Sequence, residues 1–382
     1  MSSSNVEIVP VHDRRGRERF VRFPWQVYRD DPLWIPPLIR SQLHTLDPQR
    51  GSFFRYGEAA LFLARRNGRD VGRIAGWISH RANQFLDEKA AGFGFFETFD
   101  DYEIAESLLN AACAWACDRG METVRGPFYF SMDDSPGVLI EGLDYPPVVL
   151  CGHSPSYYAD LLERYGLVKY RDAYAYRIDL GIFAGDAANL PPKILRVAEI
   201  VRRRTRVQIR PARVEHWDAE VARVIYLVNE AMGHMRNHVP MDEREFAHFV
   251  KDLRGVIDFD LVFFAEIDGE PVGFSATIPD INQALKAVNG RLFPLGWFWL
   301  WRSMRHIDVA SLKLLAVLEE HRSRGLDALF YLETARALLR KGYAWVDLSL
   351  TAENNDMINR IVQNVGGQRY KVYRTYHMSL VE

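Results

Sequence analysis

The sequence predicts an α/β protein with mixed sheets, in which one α/β unit occurs twice. Three observations carry this. Residues 207–380 alternate between period-2 apolar runs and 3.6-period runs in the order β α α β β, insertion, β α β α β. Residues 59–178 repeat much of that order with weaker patterning. The length of 382 residues suits two domains with buried cores.

In the first half, apolar runs 59–65 and 70–78 flank Asn67-Gly68, a hairpin signal. A third strand is expected at 93–99, followed by a helix at 102–120, a strand at 121–128, a helix at 156–166 and a strand at 168–178. The basic, proline-containing stretch 183–206 reads as a linker, which divides the chain into domains 1–182 and 207–382. The second half opens with a strand at 207–213 and a helix at 217–235. A second helix is expected at 242–257, capped by Asp242. Strands 261–267 and 271–278 flank Asp268-Gly269-Glu270, a second hairpin signal. After an insertion at 279–309 come strand 311–318, helix 327–342, strand 344–350, helix 355–367 and strand 369–380.

A net charge of −2 gives no general attraction for nucleic acid, so no nucleic-acid partner is expected. Cys113 and Cys117 lie four apart on a helical pattern among small residues, which reads as a buried helix face. Their low, odd number with Cys151 fits a reducing compartment, and no metal is expected. The N-terminus has no apolar core before its charges. No run reaches the ~20 apolar residues of a spanning helix, so a cytoplasmic protein is expected.

The stretch 314-LLAVLEEHRSRGLDALFYLETARALLRKG-342 carries the chemistry-bearing pattern: an apolar strand, a basic turn with Arg322 and Gly325, and an amphipathic helix. Backbone N–H groups at a helix start favour anions, and glycine lets a phosphate approach closely. In this setting the chain resembles the GNAT acyltransferase fold, present twice in tandem. The resemblance implies that acyl-CoA binds through Leu315, Ala316 and Val317 on the strand and His321, Arg322, Ser323, Arg324, Gly325 and Leu326 in the turn, with Asn355 at the start of the next helix. Asp327 departs from the general GNAT pattern, and capping the helix is its expected role. The first half has Glu97, Asp100 and Asp101 at the equivalent place, where like charge opposes phosphate, so it reads as a degenerate GNAT-like domain.

Segments 34-WIPPL-38, 92-GFGFFE-97, 137-GVLIEGLDYPP-147, 157-YYADLLERYG-166, 279-PDINQALK-286, 325-GLD-327 and 370-YKVYRTY-376 are similar to a bacterial family of tandem GNAT-like proteins that includes ceramide synthases. That resemblance implies transfer of a long acyl chain to the amine of a sphingoid base. Alternatives are an N-acyltransferase for a small amine, aminoacyl transfer from tRNA, and a non-catalytic scaffold. The resemblance implies a leaving-group tyrosine at position 362, where this chain has valine. Tyr376 and Tyr373 are substitutes, and Glu353 and Asp280 are candidate bases. His238 and His321 are weaker, and Ser131, Asp133 and Asp134 are candidates in the first domain.

The insertion contains 292-LFPLGWFWLW-301, which is uncharged and has three tryptophans. Trp297, Leu300, Trp301 and Met304 fall on one helical stripe, followed by Arg302, Arg305 and His306. This mixture suits an interfacial helix, and a peripheral contact of 292–306 with the cytoplasmic face of the inner membrane is expected. A lid packed on the protein's own core or on the first domain is the competing expectation.

Overall fold

The computed structural model describes residues 6–130, 137–233, 239–240 and 255–381. The helix expected at 242–257 falls largely outside the described residues, as do Ser131, Asp133, Asp134 and His238. The first half comprises β1 (Glu7–Pro10), α1 (Arg14–Arg22), α2 (Pro24–Val27), α3 (Ile39–Thr45), β2 (Gly57–Arg66), β3 (Arg69–Ser79), α4 (His80–Leu86), β4 (Ala90–Thr98), α5 (Tyr102–Cys117), β5 (Thr123–Gly126), β6 (Val138–Glu141), α6 (Tyr158–Arg164) and β7 (Val168–Asp179). The second half comprises α7 (Pro192–Arg204), β8 (Gln208–Pro211), α8 (Trp217–Met232), β9 (Val262–Ile267), β10 (Glu270–Pro279), α9 (Asn282–Leu285), α10 (Gly296–Met304), β11 (Val309–Val317), α11 (Leu326–Lys341), β12 (Trp345–Ala352), α12 (Asp356–Asn364) and β13 (Gln368–Ser379).

Both expected hairpins form. Asn67 (φ 53°) and Gly68 (φ 75°) turn one, and Asp268 (φ 52°) and Gly269 (φ 91°) the other. Positive φ at both turn residues is what Asn-Gly and Asp-Gly tolerate.

The chain divides into two compact units that do not coincide with domains 1–182 and 207–382. Unit 1 comprises Met1–Ala173, Ala284–Arg302 and Lys371–Glu382, and unit 2 comprises Tyr174–Gln283 and Ser303–Tyr370. The repeats exchange their last strands. In unit 1 the strand order is β1-β2-β3-β4-β5 followed by the end of β13, with Tyr376 opposite Gly126 and Met378 opposite Val124. In unit 2 the order is β8-β9-β10-β11-β12 followed by the end of β7, where Thr351 Oγ1 donates to the carbonyl of Tyr174 (3.5 Å).

Stretch 183–206 is not a bare linker. Pro192 occupies the first turn of α7, where its missing N–H costs nothing. Ala198 and Val201 are buried in the unit 2 core with Leu329 and Leu338 of α11, and Arg202 pairs with Glu333. The opposite sheet face of unit 2 packs Leu227 and Val228 of α8 on Phe264 and Phe274. Unit 1 likewise buries Ile104, Leu108 and Ala112 of α5 on one face and Phe20, Phe53, Trp77 and Phe95 on the other.

Candidate active site

In unit 2 the parallel strands β11 and β12 pair from Val309–Trp345 to Leu312–Leu348, where their pairing ends. Opposite β10 the register steps from Thr277–Leu312 to Ala276–Leu314, so Lys313 is the extra residue of a β-bulge. Beyond it, among the described strands, Leu314–Val317 stay bonded to β10 alone and form one arm of a fork. A strand edge at such a fork presents N–H and C=O groups that an extended chain can pair with, as in β-augmentation.

The fork leads to the turn before α11. Gly325 is the N-cap residue at φ 82°, and no side chain caps this helix start. Asp327 therefore does not cap it; it lies in the first turn beside Tyr331, whose hydroxyl pKa is raised mainly by burial and further by that carboxylate. A Cβ on Gly325 would lie 2.5 Å from Val197 Cγ1, so the close approach of α7 requires glycine as much as the backbone angle does. Leu326 is buried, Ser323 holds a positive φ of 57°, and Arg324 is exposed. Arg322 does more than add charge: its Nε donates to the carbonyl of Val317 (3.1 Å), and its Nη2 donates to the carbonyl of Ala231. It thus ties the end of β11 to the end of α8. His321 lies against Glu320 (3.2 Å), and its Nδ1 is buried without a partner.

The other expected site residues separate. Glu353 follows β12 at the open side of the fork, and its carbonyl accepts from Asn359 Nδ2 (3.4 Å). Asn355 caps α12, its Oδ1 accepting from the N–H of Ile358 (3.3 Å). Asp280 is at the opposite end of β11: its N–H donates to the carbonyl of Val309 (2.8 Å), and its Oδ1 accepts from the N–H of Asn282 (3.2 Å). From Val309 to Leu315 is six residues, on the order of 20 Å of strand, so Asp280 is a turn residue rather than a base for the fork. Tyr376 belongs to unit 1, is fully buried in that core and donates to Glu163 Oε1 (3.0 Å). Burial, with the Glu163 carboxylate, pushes its hydroxyl pKa up. Tyr376 is a core residue, not a catalytic acid. Val362 is buried, so the valine at the expected tyrosine position fills core space.

A cluster that sequence reasoning missed lies at the fork apex. Lys313 Nζ donates to Ser349 Oγ (2.7 Å) and lies 3.5 Å from Asp347 Oδ2. Ser349 Oγ donates to the same Asp347 oxygen (2.5 Å), as does Ser311, and Tyr370 donates to Asp347 Oδ1 (2.8 Å). The Asp347 side chain is fully buried, and that of Lys313 is 9% exposed. The only signal available was a lysine inside the apolar run 311–318.

The equivalent fork of unit 1 is filled. β4 and β5 pair only from Ala90–Thr123 to Gly92–Arg125, after which the N–H of Phe128 donates to the carbonyl of Phe93 (2.8 Å). A Cβ on Gly94 would lie 1.4 Å from the carbonyl oxygen of Phe128. Asp101 caps α5, accepting from the N–H of Glu103 (3.1 Å) and Ile104 (3.4 Å), so a carboxylate already holds the helix start. Glu97 is buried beside Arg73 (3.5 Å) and accepts from the Tyr158 hydroxyl (2.8 Å). Burial raises its pKa despite these partners.

Residues 284–302 of the insertion are counted with unit 1. Trp25 Nε1 donates to Asn289 Oδ1 (2.7 Å), and the N–H of Ile39 donates to the carbonyl of Gly290 (3.0 Å). None of the residues of α10 is buried. Trp297 (57% exposed), Phe298, Trp299 and Trp301 are exposed, with Phe293 (76%) and Leu295 beside them. Leu300 and Met304 are half-buried, so the outward face is wider than the expected stripe and excludes those two. These four aromatic side chains are therefore not part of a buried core. Among the described residues, no helix is long and apolar enough to cross a membrane, and no three His, Cys, Asp or Glu side chains group as metal ligands.

Two α/β units with forked parallel strands define a tandem protein of the GNAT fold. A tandem GNAT protein from the clavulanic acid biosynthesis pathway superposes with a TM-score of 0.57 at 13% identity, covering 99% of both chains. A GNAT protein from Sphaerobacter thermophilus gives 0.54 at 15% identity, covering 99% of this chain and 96% of that one. The chain is 32% identical to the bacterial ceramide synthase of Caulobacter vibrioides over 99% of each, and 30% identical to Escherichia coli protein YghO over 96% of this chain and 94% of YghO. No family model matches. The chain belongs to the family of the bacterial ceramide synthase and is an acyltransferase.

Proposed function

We propose that the protein transfers a long-chain acyl group from acyl-CoA to the amine of a sphingoid-type lipid at the β11–β12 fork of unit 2. The observation that carries this is the released edge Leu314–Val317 leading to the uncapped, glycine-opened start of α11. The edge suits the extended pantetheine arm, and the helix start suits its pyrophosphate. A backbone N–H of the Leu315–Val317 arm would polarise the thioester carbonyl, and Glu353 is the candidate base for the attacking amine. Unit 1, with its fork filled and its helix start capped, would serve as scaffold or acceptor-binding domain.

The lipid part of the reading is supported by the name of the relative and by the exposed aromatics of α10, which connects through Arg305–Asp308 to β11. Exposed tryptophans with Arg302, Arg305 and His306 beside them are the composition of a helix seated at the headgroup level of anionic membranes. Peripheral attachment to the cytoplasmic face of the inner membrane fits this.

The test is direct. Purified protein is incubated with palmitoyl-CoA and sphinganine, products are read by mass spectrometry, and thermal shifts are measured with palmitoyl-CoA, acetyl-CoA and free coenzyme A. N-acylated base and the largest stabilisation by the long-chain thioester are expected. No stabilisation by any of the three would defeat the acyl-CoA reading. Product with a small amine alone would favour the small-amine alternative.

A further inference from the structure

We propose that Lys313 is the acid of the acyl transfer: its ammonium stabilises the thiolate leaving the thioester and supplies its proton. This rests on the acyl-CoA reading above.

Lys313 and Ser349 are the residues immediately after the last bonded pair of the fork, Leu312–Leu348, one on each arm. Their 2.7 Å hydrogen bond spans the apex. A chain paired along Leu314–Val317 therefore runs toward this ammonium. The cation is built in rather than incidental. It sits on a β-bulge, a device that re-aims a side chain. Its side chain is almost fully buried, and Asp347 lies 3.5 Å away as counter-charge. Ser311, Ser349 and Tyr370 all donate to that carboxylate and fix its orientation. A lysine in its ammonium form is a proton donor and not a competing nucleophile beside a thioester. Val362, where the family resemblance implies a tyrosine acid, can supply no proton.

The step balances. The amine nitrogen bonds to the carbonyl carbon, the C–S bond breaks, and sulfur keeps the electron pair and takes a proton from Lys313. Glu353 takes one proton from the incoming ammonium before attack and passes it to water; the surplus proton left on the nitrogen after attack returns to the neutral lysine, leaving amide, free thiol and the starting enzyme. Lys313 is the catalytic residue; Asp347 and Ser349 are positioning residues.

The experiment compares the full-length wild type with K313M, K313R and K313M/D347N, using palmitoyl-CoA and sphinganine. The double variant guards against K313M failing to fold around an unpaired buried carboxylate. General-acid loss should lower kcat by about 10²–10³-fold in K313M and in the double variant, with palmitoyl-CoA affinity little changed. K313R, which keeps the charge but does not release a proton, should stay slow. With the palmitoyl thioester of a nitrothiophenol, whose thiolate leaves unprotonated, the deficit should shrink at least tenfold; a purely structural role would not move it. Wild-type-like kcat in K313M or K313R, or a deficit unchanged by leaving group, overturns the proposal alone. A wild type that neither binds palmitoyl-CoA nor forms amide removes the acyl-CoA reading, and this one with it.

Discussion

Lys313 Nζ lies 2.7 Å from Ser349 Oγ, closing the apex of a fork whose arms separate directly behind both residues. Among the described residues of unit 1 the equivalent opening is filled by backbone, the N–H of Phe128 on the carbonyl of Phe93 at 2.8 Å. The two repeats thus share a framework and differ in what occupies the opening between parallel strands. If the Lys313–Ser349 bond orients the ammonium, S349A should lower turnover by about 10-fold while costing about 1.5–3 kcal/mol in stability, because Ser349 Oγ also donates to the buried Asp347 carboxylate. Parallel rate assays and urea melts check this, and an unchanged rate would make Ser349 a packing residue only.

Arg322 links β11 to α8 through the carbonyls of Val317 and Ala231. Lysine keeps the charge but cannot span two carbonyls with a rigid fork of donors. R322K should therefore cost about 1.5–3 kcal/mol, the range for hydrogen bonds to a charged group. Coenzyme A affinity should fall as well, because the released end of β11 carries the turn proposed to hold its pyrophosphate. Calorimetric titration beside chemical denaturation would show both losses; full stability in R322K would mean that charge alone matters here.

Gly325 combines a left-handed angle with a close approach from α7. G325A should lose about 1–3 kcal/mol from backbone strain alone, and more from the 2.5 Å contact with Val197 Cγ1. Pairing it with V197A separates the causes: the contact part should be restored and the angle part retained. Complete rescue in the double variant would show that the angle costs nothing.

Most elements were legible because their signals are local. The Asn67-Gly68 and Asp268-Gly269 turns, the α5 and α11 periodicity and the Arg322–Gly325 turn each lie within a few residues. What escaped depends on distant partners. Strand exchange sets Tyr376 opposite Gly126, a pairing no local pattern encodes, and so a candidate acid proved to be core. Lys313 meets Ser349 36 residues further on, and the bulge that aims it appears only in the register with β10. The helix α7 was hidden by its own arginines, which look like a linker until Glu333 and the α11 core are placed beside them.

The exposed face of α10 predicts a separable membrane function. Replacing Trp297 and Trp301 by serine removes two indoles that are 57% and 50% exposed. Binding to vesicles containing phosphatidylglycerol should drop at least tenfold, while the melting temperature and acetyl-CoA binding stay constant. Flotation assays with both proteins decide it: equal flotation would assign the aromatic face to a protein partner instead.

Asp172 and Arg374 make a two-pronged pair within unit 1, Nε to Oδ1 at 2.9 Å and Nη2 to Oδ2 at 3.0 Å, joining β7 to β13. Burial alone would raise the carboxyl pKa, but bonds from Arg374 and Lys169 outweigh it and hold the pKa below the ordinary aspartate range. A depressed folded-state pKa means the pair stabilises the fold above the unfolded value of about 3.9 and is lost as pH falls through the folded one. D172N should therefore be less stable than wild type by about 1.5–3 kcal/mol at pH 7. The gap should close as the pH is lowered below about 4, because the wild-type carboxyl then also becomes neutral. Urea midpoints at steps from pH 7 downward would trace this convergence. A gap that stays constant to the acid limit would mean that the asparagine disrupts β7 sterically rather than by losing charge.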